Sequence, residues 1–205
     1  MISFGKLMSS KKFGAARLEA FSDGVFAIVI TLLVLELHVP EVHSSQELLN
    51  GLQSLLPKFV SFVVSFIYVT IYWINHHQLF HLIKKADRGI FWLNSLFLMC
   101  LTFIPFPTAL IGSYPHDRVA VIFYGLAMMA TAISFVLMKS YIFFSEGLIE
   151  SGHAKPAVLY LIAGPLLYLI AVLLALININ FAIAIYLLIP VIYFFAGGIE
   201  EQAQN

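Results

Sequence analysis

Residues 17–37 of the chain read RLEAFSDGVFAIVITLLVLEL, a short charged stretch followed by an almost unbroken apolar run. If a helix began after Asp23, residues 24–38 would extend for only about 22 Å at about 1.5 Å per residue, which is too short to cross a bilayer. The helix must therefore begin upstream of Asp23, which places this carboxylate inside the membrane boundary. Because an ionisable residue at that depth is costly and usually paired, Asp23 should have a partner on another helix.

The composition extends this conclusion to the whole chain. Of the 205 residues, 61% are hydrophobic and only 11% are charged, whereas a soluble domain carries about 25% charged residues. Lipid is therefore the expected solvent for most of the apolar surface, and a soluble enzyme domain is excluded. The formal net charge of zero provides no attraction to nucleic acid. Cys100 is the single cysteine, which excludes an intrachain disulfide.

The apolar runs predict an all-α, polytopic membrane protein in which residues 1–205 form one transmembrane domain. A helix that crosses a bilayer needs about 20 apolar residues, and six segments meet this requirement. The segments between them, such as Val39–Ser54, are too short to form a second domain. The predicted spans are Leu18–Leu37, Leu55–Asn75, Ile90–Ile111, Val119–Met138, Pro156–Ile177 and Phe181–Gly197.

The basic residues indicate the orientation of the spans. With the N-terminus in the cytoplasm, only Lys58 and Arg118 fall on the outer side. Because cytoplasmic connections carry an excess of Lys and Arg, this asymmetry predicts an even number of spans and two cytoplasmic termini. The basic residues on the cytoplasmic side are Lys6, Lys11, Lys12, Arg17, Lys84, Lys85, Arg88, Lys139 and Lys155.

The orientation also suggests partners for Asp23, since the second span ends and the third begins on the cytoplasmic side. We expect a polar cluster there that ties the first three helices together. A structural role and direct contact with a permeating ion or proton are both compatible with its composition. The candidate hydrogen-bond donors are Trp73, Asn75, His76, His77 and Asn94.

A histidine pair lies close to these candidates. His77 and His81 are four residues apart, which places them on one helical face at a spacing that metal ligands use. No carboxylate or cysteine completes a recognisable site in the sequence, so neither a metal ion nor a cofactor is predicted. Motifs of the HExxH, GxSxG and phosphate-loop types do not occur, and the chain is therefore not predicted to be an enzyme.

Two patterns in the later spans permit both a packing and a transport interpretation. Prolines interrupt the third, fifth and sixth spans, and neighbouring helices can satisfy the freed carbonyls, although such breaks also mark the discontinuous helices of transporters. A stripe of small or polar residues follows the second span, where it favours close helix packing over a watery path. The prolines are Pro105, Pro107, Pro165 and Pro190, and the stripe is Ser54, Lys58, Ser61, Ser65, Tyr68, Tyr72 and Asn75.

A second stripe lies on the first helix. Gly24, Ile28, Thr31 and Leu35 fall within about 60° of one another when each residue advances the helix by 100°. Such a stripe is ordinary on a buried helix. It gains a functional meaning only if several copies of the helix surround a common axis, because one helix cannot enclose a pore.

The motif R-x-x-x-F-S-D, formed by Arg17, Phe21, Ser22 and Asp23, resembles the signature of the transmembrane protein 175 family of potassium channels, in its bacterial form. The segments FIYVTIYWINHH in the second span and FIPFPTAL in the third are also similar to that family, as is Asn94. The resemblance covers roughly the first half of the chain.

The resemblance implies a homotetramer in the cell membrane whose first helices line a central pore for potassium ions, surrounded by membrane lipid. By motif position, Ile28 and Leu35 would form apolar rings that close the pore, with a ring of Thr31 hydroxyls between them. The family's motif network would comprise Arg17, Phe21, Ser22, Asp23, Trp73, His77 and Asn94.

Modest selectivity is expected for such a channel, because apolar rings and one threonine ring lack the carbonyl ladder of a dedicated filter. The main alternative is a secondary transporter with an ionisable site around Asp23 and His77. A transporter would normally hold that site near the bilayer midplane, often with repeated halves. The middle of each span carries almost no charge and no repeat is evident, which favours the channel.

Overall fold

The computed structural model describes residues 14–41, 43–145, 147–149 and 158–203, apart from the side chains of 158–160 and 194–203. Four of the basic residues used for the predicted orientation, Lys6, Lys11, Lys12 and Lys155, lie outside the described residues. The start of the fifth predicted span at Pro156 lies outside them as well.

The described part of the chain is all-α, as predicted. An isolated antiparallel bridge between Ile83 and Ile149 accompanies the helices. In chain order the helices are α1 (Ala15–Val34), α2 (Ser45–Ser54), α3 (Leu56–His81), α4 (Arg88–Phe103), α5 (Pro105–Ser113), α6 (Arg118–Phe144), α7 (Val158–Ile177) and α8 (Ile179–Ala203).

Helix α1 begins where the sequence argument requires. Its first residue, Ala15, lies two turns before Asp23, so the carboxylate projects from within the helix and does not cap it. The 20 residues of α1 extend for about 30 Å, which is the thickness of the hydrocarbon core of a bilayer. The expectation that the helix begins upstream of Asp23 is therefore confirmed.

Three helical segments are long and apolar enough to cross a membrane by length and composition alone: Leu56–His81, Arg88–Ser113 and Arg118–Phe144. Two shorter apolar stretches follow at Leu161–Ile177 and Ile179–Tyr193. Helix α1 is not among the three, and it carries Arg17, Glu19 and Asp23 in its first turns. The number of spans remains a prediction for the whole chain.

The segment 39–54, which the sequence analysis left without structure, contains a helix. Ser44 caps α2 by accepting a hydrogen bond from the Glu47 backbone N–H at 3.2 Å. The Glu47 carboxylate in turn accepts from the His43 backbone N–H at 3.0 Å. The two bonds form a variant of the capping box in which the carboxylate reaches the residue before the cap, and the Ser-x-x-Glu pattern is visible in the sequence.

Helix α3 continues six residues past the predicted end of the second span at Asn75 and finishes at His81. The predicted boundary followed hydropathy, which falls at residues 75–78, where the sequence reads NHHQ. Helical hydrogen bonding does not stop there, since no proline or glycine interrupts this stretch. His76, His77 and His81 therefore project from one continuous helix.

The prolines of the third span divide it without separating its halves. Helix α4 ends at Phe103 and α5 begins at Pro105, while Ile104 between them keeps right-handed helical angles. The Ile104 N–H donates to the Leu101 carbonyl at 3.1 Å, and the Thr108 N–H donates to the Ile104 carbonyl at 3.1 Å. The carbonyls of Leu101 and Ile104 at this break are thus paired within the segment itself, and the choice between the packing and the transport interpretation stays a prediction.

The middle of the polar stripe, at Ser65 and Tyr68 of α3, is buried in helix contacts. Ser65 hydrogen bonds to Thr108 of α5 at 2.8 Å and to Tyr124 of α6 at 3.1 Å. The Tyr68 hydroxyl donates to the Tyr186 carbonyl of α8 at 2.7 Å. At Gly112 an added Cβ would lie 2.5 Å from the Ser61 hydroxyl, so α3 and α5 approach closely there. This part of the stripe is a packing surface and does not line a watery path.

Candidate functional site

Helix α1 has one packed face and one bare face. Leu18, Ser22, Phe26, Val29 and Leu33 are buried against the rest of the chain. The opposite face is open in the single chain, and it carries the stripe identified from the sequence. Ile28 is 60% exposed and Leu35 is 64% exposed, while Gly24 and Thr31 are also exposed. We call these four residues the bare face of α1.

The bare face does not pack against another described helix of the same chain. A run of exposed apolar side chains on a helix is satisfied either by lipid or by a second protein surface. The packing interpretation of this stripe within one subunit therefore fails for the described residues.

The Thr31 hydroxyl has a defined orientation. Its proton is used within α1, because Oγ1 lies 3.0 Å from the Ala27 carbonyl and 2.9 Å from the Ile28 carbonyl. A hydroxyl that donates to its own backbone keeps lone pairs as acceptors. Thr31 thus offers oxygen lone pairs, the ligands that hydrated cations prefer, on an otherwise apolar face.

Asp23 has the partner on another helix that its depth requires. The Trp73 indole N–H of α3 donates to Asp23 Oδ1 at 2.9 Å. Trp73 was one of five candidates in the sequence, and the antiparallel packing of α1 and α3 selects it. The contact joins α1 to α3. The indole N–H can only donate, which matches a carboxylate that can only accept.

A fully buried chain of three side chains lies beside this pair. The Asn94 amide of α4 donates to Ser22 Oγ at 2.9 Å, and Ser22 donates to the Leu18 carbonyl at 2.8 Å. The Asn94 carbonyl oxygen lies 2.8 Å from Nε2 of His76. Because this amide oxygen can only accept, His76 must carry its proton on Nε2.

The chain formed by Ser22, His76 and Asn94 contributes one residue from each of α1, α3 and α4. All three are 0% exposed. The remaining nitrogen of His76, Nδ1, has no hydrogen-bond partner in the described part of the chain, and the ring is stacked on Phe80 with centroids 4.2 Å apart. Buried polar groups joined in this way fix the relative positions of their helices.

A second carboxylate of α1 meets the histidine pair. Glu19 Oε1 lies 2.9 Å from Nδ1 of His77, and Nε2 of His77 lies 3.2 Å from Nε2 of His81. The His77 ring is also stacked on Trp73, with centroids 6.1 Å apart. The sequence analysis found no carboxylate for this pair, and the structure corrects that interpretation, because α1 brings Glu19 to it.

The contacts between α1 and α3 form a ladder. Glu19 and Asp23 are four residues apart on one helix, and Trp73 and His77 are four apart on the other. In antiparallel helices such pairs face each other as two rungs, Asp23 with Trp73 and Glu19 with His77. This complementary spacing was present in the sequence and is the signal that could have identified Glu19.

The structure brings together most of the motif residues that the resemblance suggested. Ser22, Asp23, Trp73, His77 and Asn94 all lie in these adjoining contacts. The other two motif residues, Arg17 and Phe21, lie on another face of α1.

Arg17 and Phe21 do not join the cluster. Both are exposed, Phe21 by 60%, and no hydrogen bond or ion pair links Arg17 to the cluster among the described residues. At 100° per residue from Asp23, Arg17 falls at about 120° and Phe21 at about 160°, on the side of the helix that carries Ile28 and Leu35. Their position on α1 therefore directs them away from the chain's own core.

Comparison with known proteins gives three concordant matches. A family model described as "Endosomal/lysosomal potassium channel TMEM175" matches residues 17–105. A potassium channel of Chamaesiphon minutus is 47% identical over 124 residues, a match that covers 58% of this chain and 61% of that protein. A potassium channel of a Chryseobacterium species is 43% identical over 142 residues, covering 69% of this chain and 71% of that protein.

The fold agrees with these matches. The crystal structure of a lysosomal potassium-selective channel TMEM175 homolog from Chamaesiphon minutus superimposes with a TM-score of 0.77 at 36% sequence identity. The superposition covers 89% of this chain and 97% of that one. By sequence, in contrast, the matched segment spans only about three fifths of the length of the Chamaesiphon relative.

Proposed function

The chain belongs to the TMEM175 family of potassium channels, and from that premise we propose that it is a potassium-conducting, modestly selective cation channel. The observation that carries the proposal is the bare face of α1. That face joins exposed apolar residues to the outward lone pairs of Thr31. A helix with these properties is suited to line a narrow pore.

A pore requires several copies of the chain. The polar stripe of the second span was the other candidate for a watery path. At Ser65 and Tyr68 its side chains are hydrogen bonded to other helices of the same chain. We propose a homotetramer in which four copies of α1 present the bare face to a common axis. Arg17 and Phe21 share this side of α1 and would then meet neighbouring copies instead of their own cluster.

The closed state of this pore would depend on two apolar rings. Narrow rings formed by Ile28 and Leu35 exclude water, and ions are then blocked without a physical plug. An ion must keep most of its hydration, because desolvating a charge in an apolar constriction is prohibitive. Potassium holds its water less tightly than sodium, and the Thr31 oxygens between the rings would replace part of its shell.

We also propose that the chain crosses the cell membrane six times with both termini in the cytoplasm. The described basic residues support this orientation. Lys84, Lys85 and Arg88 lie where α3 ends and α4 begins, the end at which Glu19 meets His77. Lys58 lies at the opposite end of α3, and Arg118 begins α6. This division follows the excess of cytoplasmic Lys and Arg in membrane proteins.

The Asp23 cluster has a structural role in this proposal. Its carboxylate is held by Trp73, and the neighbouring Ser22–Asn94–His76 chain is closed to solvent. His76 and Asn94 of the cluster lie within two turns of the end of α3 and of the start of α4, whereas the coupling site of a secondary transporter would be expected near the bilayer midplane.

Flux through liposomes tests the proposal. The purified chain is reconstituted with a potassium gradient, and the potassium current and the sodium current are recorded separately. We expect fast, uncoupled cation current with a modest preference for potassium. Saturable exchange that depends on a second ion gradient would contradict the channel and support the transporter.

A further inference from the structure

We propose that Glu19, His77 and His81 form a binding site for a divalent transition-metal ion, with zinc as the ion that fits best. The site is independent of the proposed conduction pathway, because Glu19 and His77 belong to the α1–α3 ladder, His81 lies beside His77, and none of the three belongs to the bare face. The two imidazoles would ligate the ion, Glu19 would orient one of them, and water would fill the remaining positions, an arrangement that zinc accepts in proteins. The ligand atoms of the three residues lie within 4.8 Å of one another.

The spacing of the two histidines suits a tetrahedral ion. Their Nε2 atoms are 3.2 Å apart. Two zinc–nitrogen bonds of about 2.0–2.1 Å at a tetrahedral angle require nitrogens roughly 3.3 Å apart. The structure therefore holds the two donor atoms near the separation that zinc needs, with no change in either helix.

Glu19 sets the protonation of His77. An ionised carboxylate can only accept, so the Nδ1 of His77, 2.9 Å from Glu19 Oε1, must carry a proton. In neutral His77 the Nε2 atom then carries no proton, and its lone pair points toward His81. A carboxylate that holds the outer N–H of a ligating histidine is the usual support of zinc sites.

Without a metal, the short contact between the two rings requires a proton, which the Nε2 of His81 donates to the Nε2 of His77. A divalent ion between the two nitrogens takes the place of this shared proton. His81 then carries its proton on Nδ1, which its exposed ring can exchange with solvent. Both histidines remain neutral, as metal ligation requires.

The site connects two helices. His77 and His81 belong to α3, while Glu19 belongs to α1. A bound ion strengthens the Glu19–His77 contact and so fixes the start of α1 against the end of α3. Binding to the folded chain alone stabilises it by mass action, which makes the thermal unfolding temperature depend on zinc concentration.

Metal titration of the purified full-length chain tests the site. After treatment with a chelator, the protein is titrated with zinc by calorimetry and with cobalt by visible absorption, since tetrahedral cobalt absorbs strongly. We expect one ion per chain and a zinc-dependent rise in the unfolding temperature. Glu19→Gln should weaken binding about 10- to 100-fold, the usual cost of removing the group that orients a ligating histidine.

Three further variants complete the test. His81→Ala should abolish the tetrahedral cobalt spectrum, and His81→Asn provides the same test with a polar side chain if the alanine variant does not fold. His116→Ala removes an exposed histidine next to Arg118, far along the chain from the site, and should leave binding unchanged. Binding of wild-type affinity in Glu19→Gln and His81→Asn, or no binding by the unsubstituted protein, overturns the proposal.

Discussion

At the scale of single residues, the polar contacts made by α1 differ in how accessible they are to water. Trp73, which donates to Asp23, is 41% exposed, whereas Ser22, His76 and Asn94 are fully buried. An unpaired group that can reach water or lipid headgroups costs less than one sealed in the core. The hydrogen-bonded set of Ser22, Asn94 and His76 should therefore contribute more to the free energy of unfolding than the Asp23 carboxylate does.

Substituting Asn94 by alanine tests this order. The variant leaves the His76 Nε2–H without an acceptor and removes the donor to Ser22, and each unsatisfied buried group costs about 1–3 kcal/mol. Thermal unfolding in detergent measures the loss. Asn75→Ala is the matched control, because within the residues that the structure describes Asn75 donates only to the Ile71 carbonyl of its own helix. Equal unfolding temperatures for the two variants would contradict a structural role for the buried chain.

Asp23→Ala should cost less, about 1 kcal/mol, because the indole N–H of Trp73 is near the surface and can find another acceptor. Trp73→Phe removes the donor and keeps most of the ring. If the two groups act through their contact, the double variant should lose little more than either single variant. Additive losses would mean that Asp23 and Trp73 stabilise the chain through other partners.

At the scale of helices, two adjacent residues of α1 have different roles. One packs in the core of the subunit, and the other is proposed to line the pore. Val29 is fully buried and Ile28 is 60% exposed, although the two are neighbours with similar β-branched side chains. Ile28→Asn should leave the subunit nearly as stable and raise the resting cation leak, with a weakened preference for potassium. Val29→Asn buries an amide without partners and should lower the unfolding temperature.

Liposome flux and thermal unfolding on both variants distinguish these effects. A stability loss at Ile28 with an unchanged leak would place that residue in a packing interface between copies and remove it from the gate. Val29 serves as the control for the general effect of an amide on α1. The comparison introduces asparagine at two adjacent β-branched positions whose side chains point in different directions.

The same helices indicate how far the sequence could predict the structure. The upstream start of α1 followed from the length of the apolar run. The 100° periodicity placed Gly24, Ile28, Thr31 and Leu35 on one face, but not that this face would be open. The partner of Asp23 could be narrowed only to five donors, because the rotation of α3 about its axis depends on packing with α5 and α8. Two other features had local signals in the sequence that hydropathy does not detect. One is the capping box at Ser44 and Glu47, and the other is the ladder contact of Glu19 with His77.

At the scale of the whole molecule, the described chain buries one face of α1 and leaves the other open. A single subunit in lipid could cover Ile28 and Leu35 with acyl chains, but lipid offers no partner for the lone pairs of Thr31. Arg17 lies on the same side of the helix and is exposed. A surface that combines apolar, hydroxyl and cationic groups is better satisfied by other copies of the chain than by lipid alone.

We therefore expect a homotetramer around the bare faces. Native mass measurement in mild detergent and in lipid should give four chains, and monomers in both media would contradict the channel. Cysteine cross-linking then tests which face is central, with Cys100 replaced by serine. Oxidation of an Ile28→Cys variant in membranes should join chains covalently, because equivalent residues around a narrow axis lie close together. A Val29→Cys variant should stay monomeric on denaturing gels, since Val29 is buried within its own subunit. Cross-linking at residue 29 and none at residue 28 would mean that the subunits associate through another face, and the pore would then have to be assigned elsewhere.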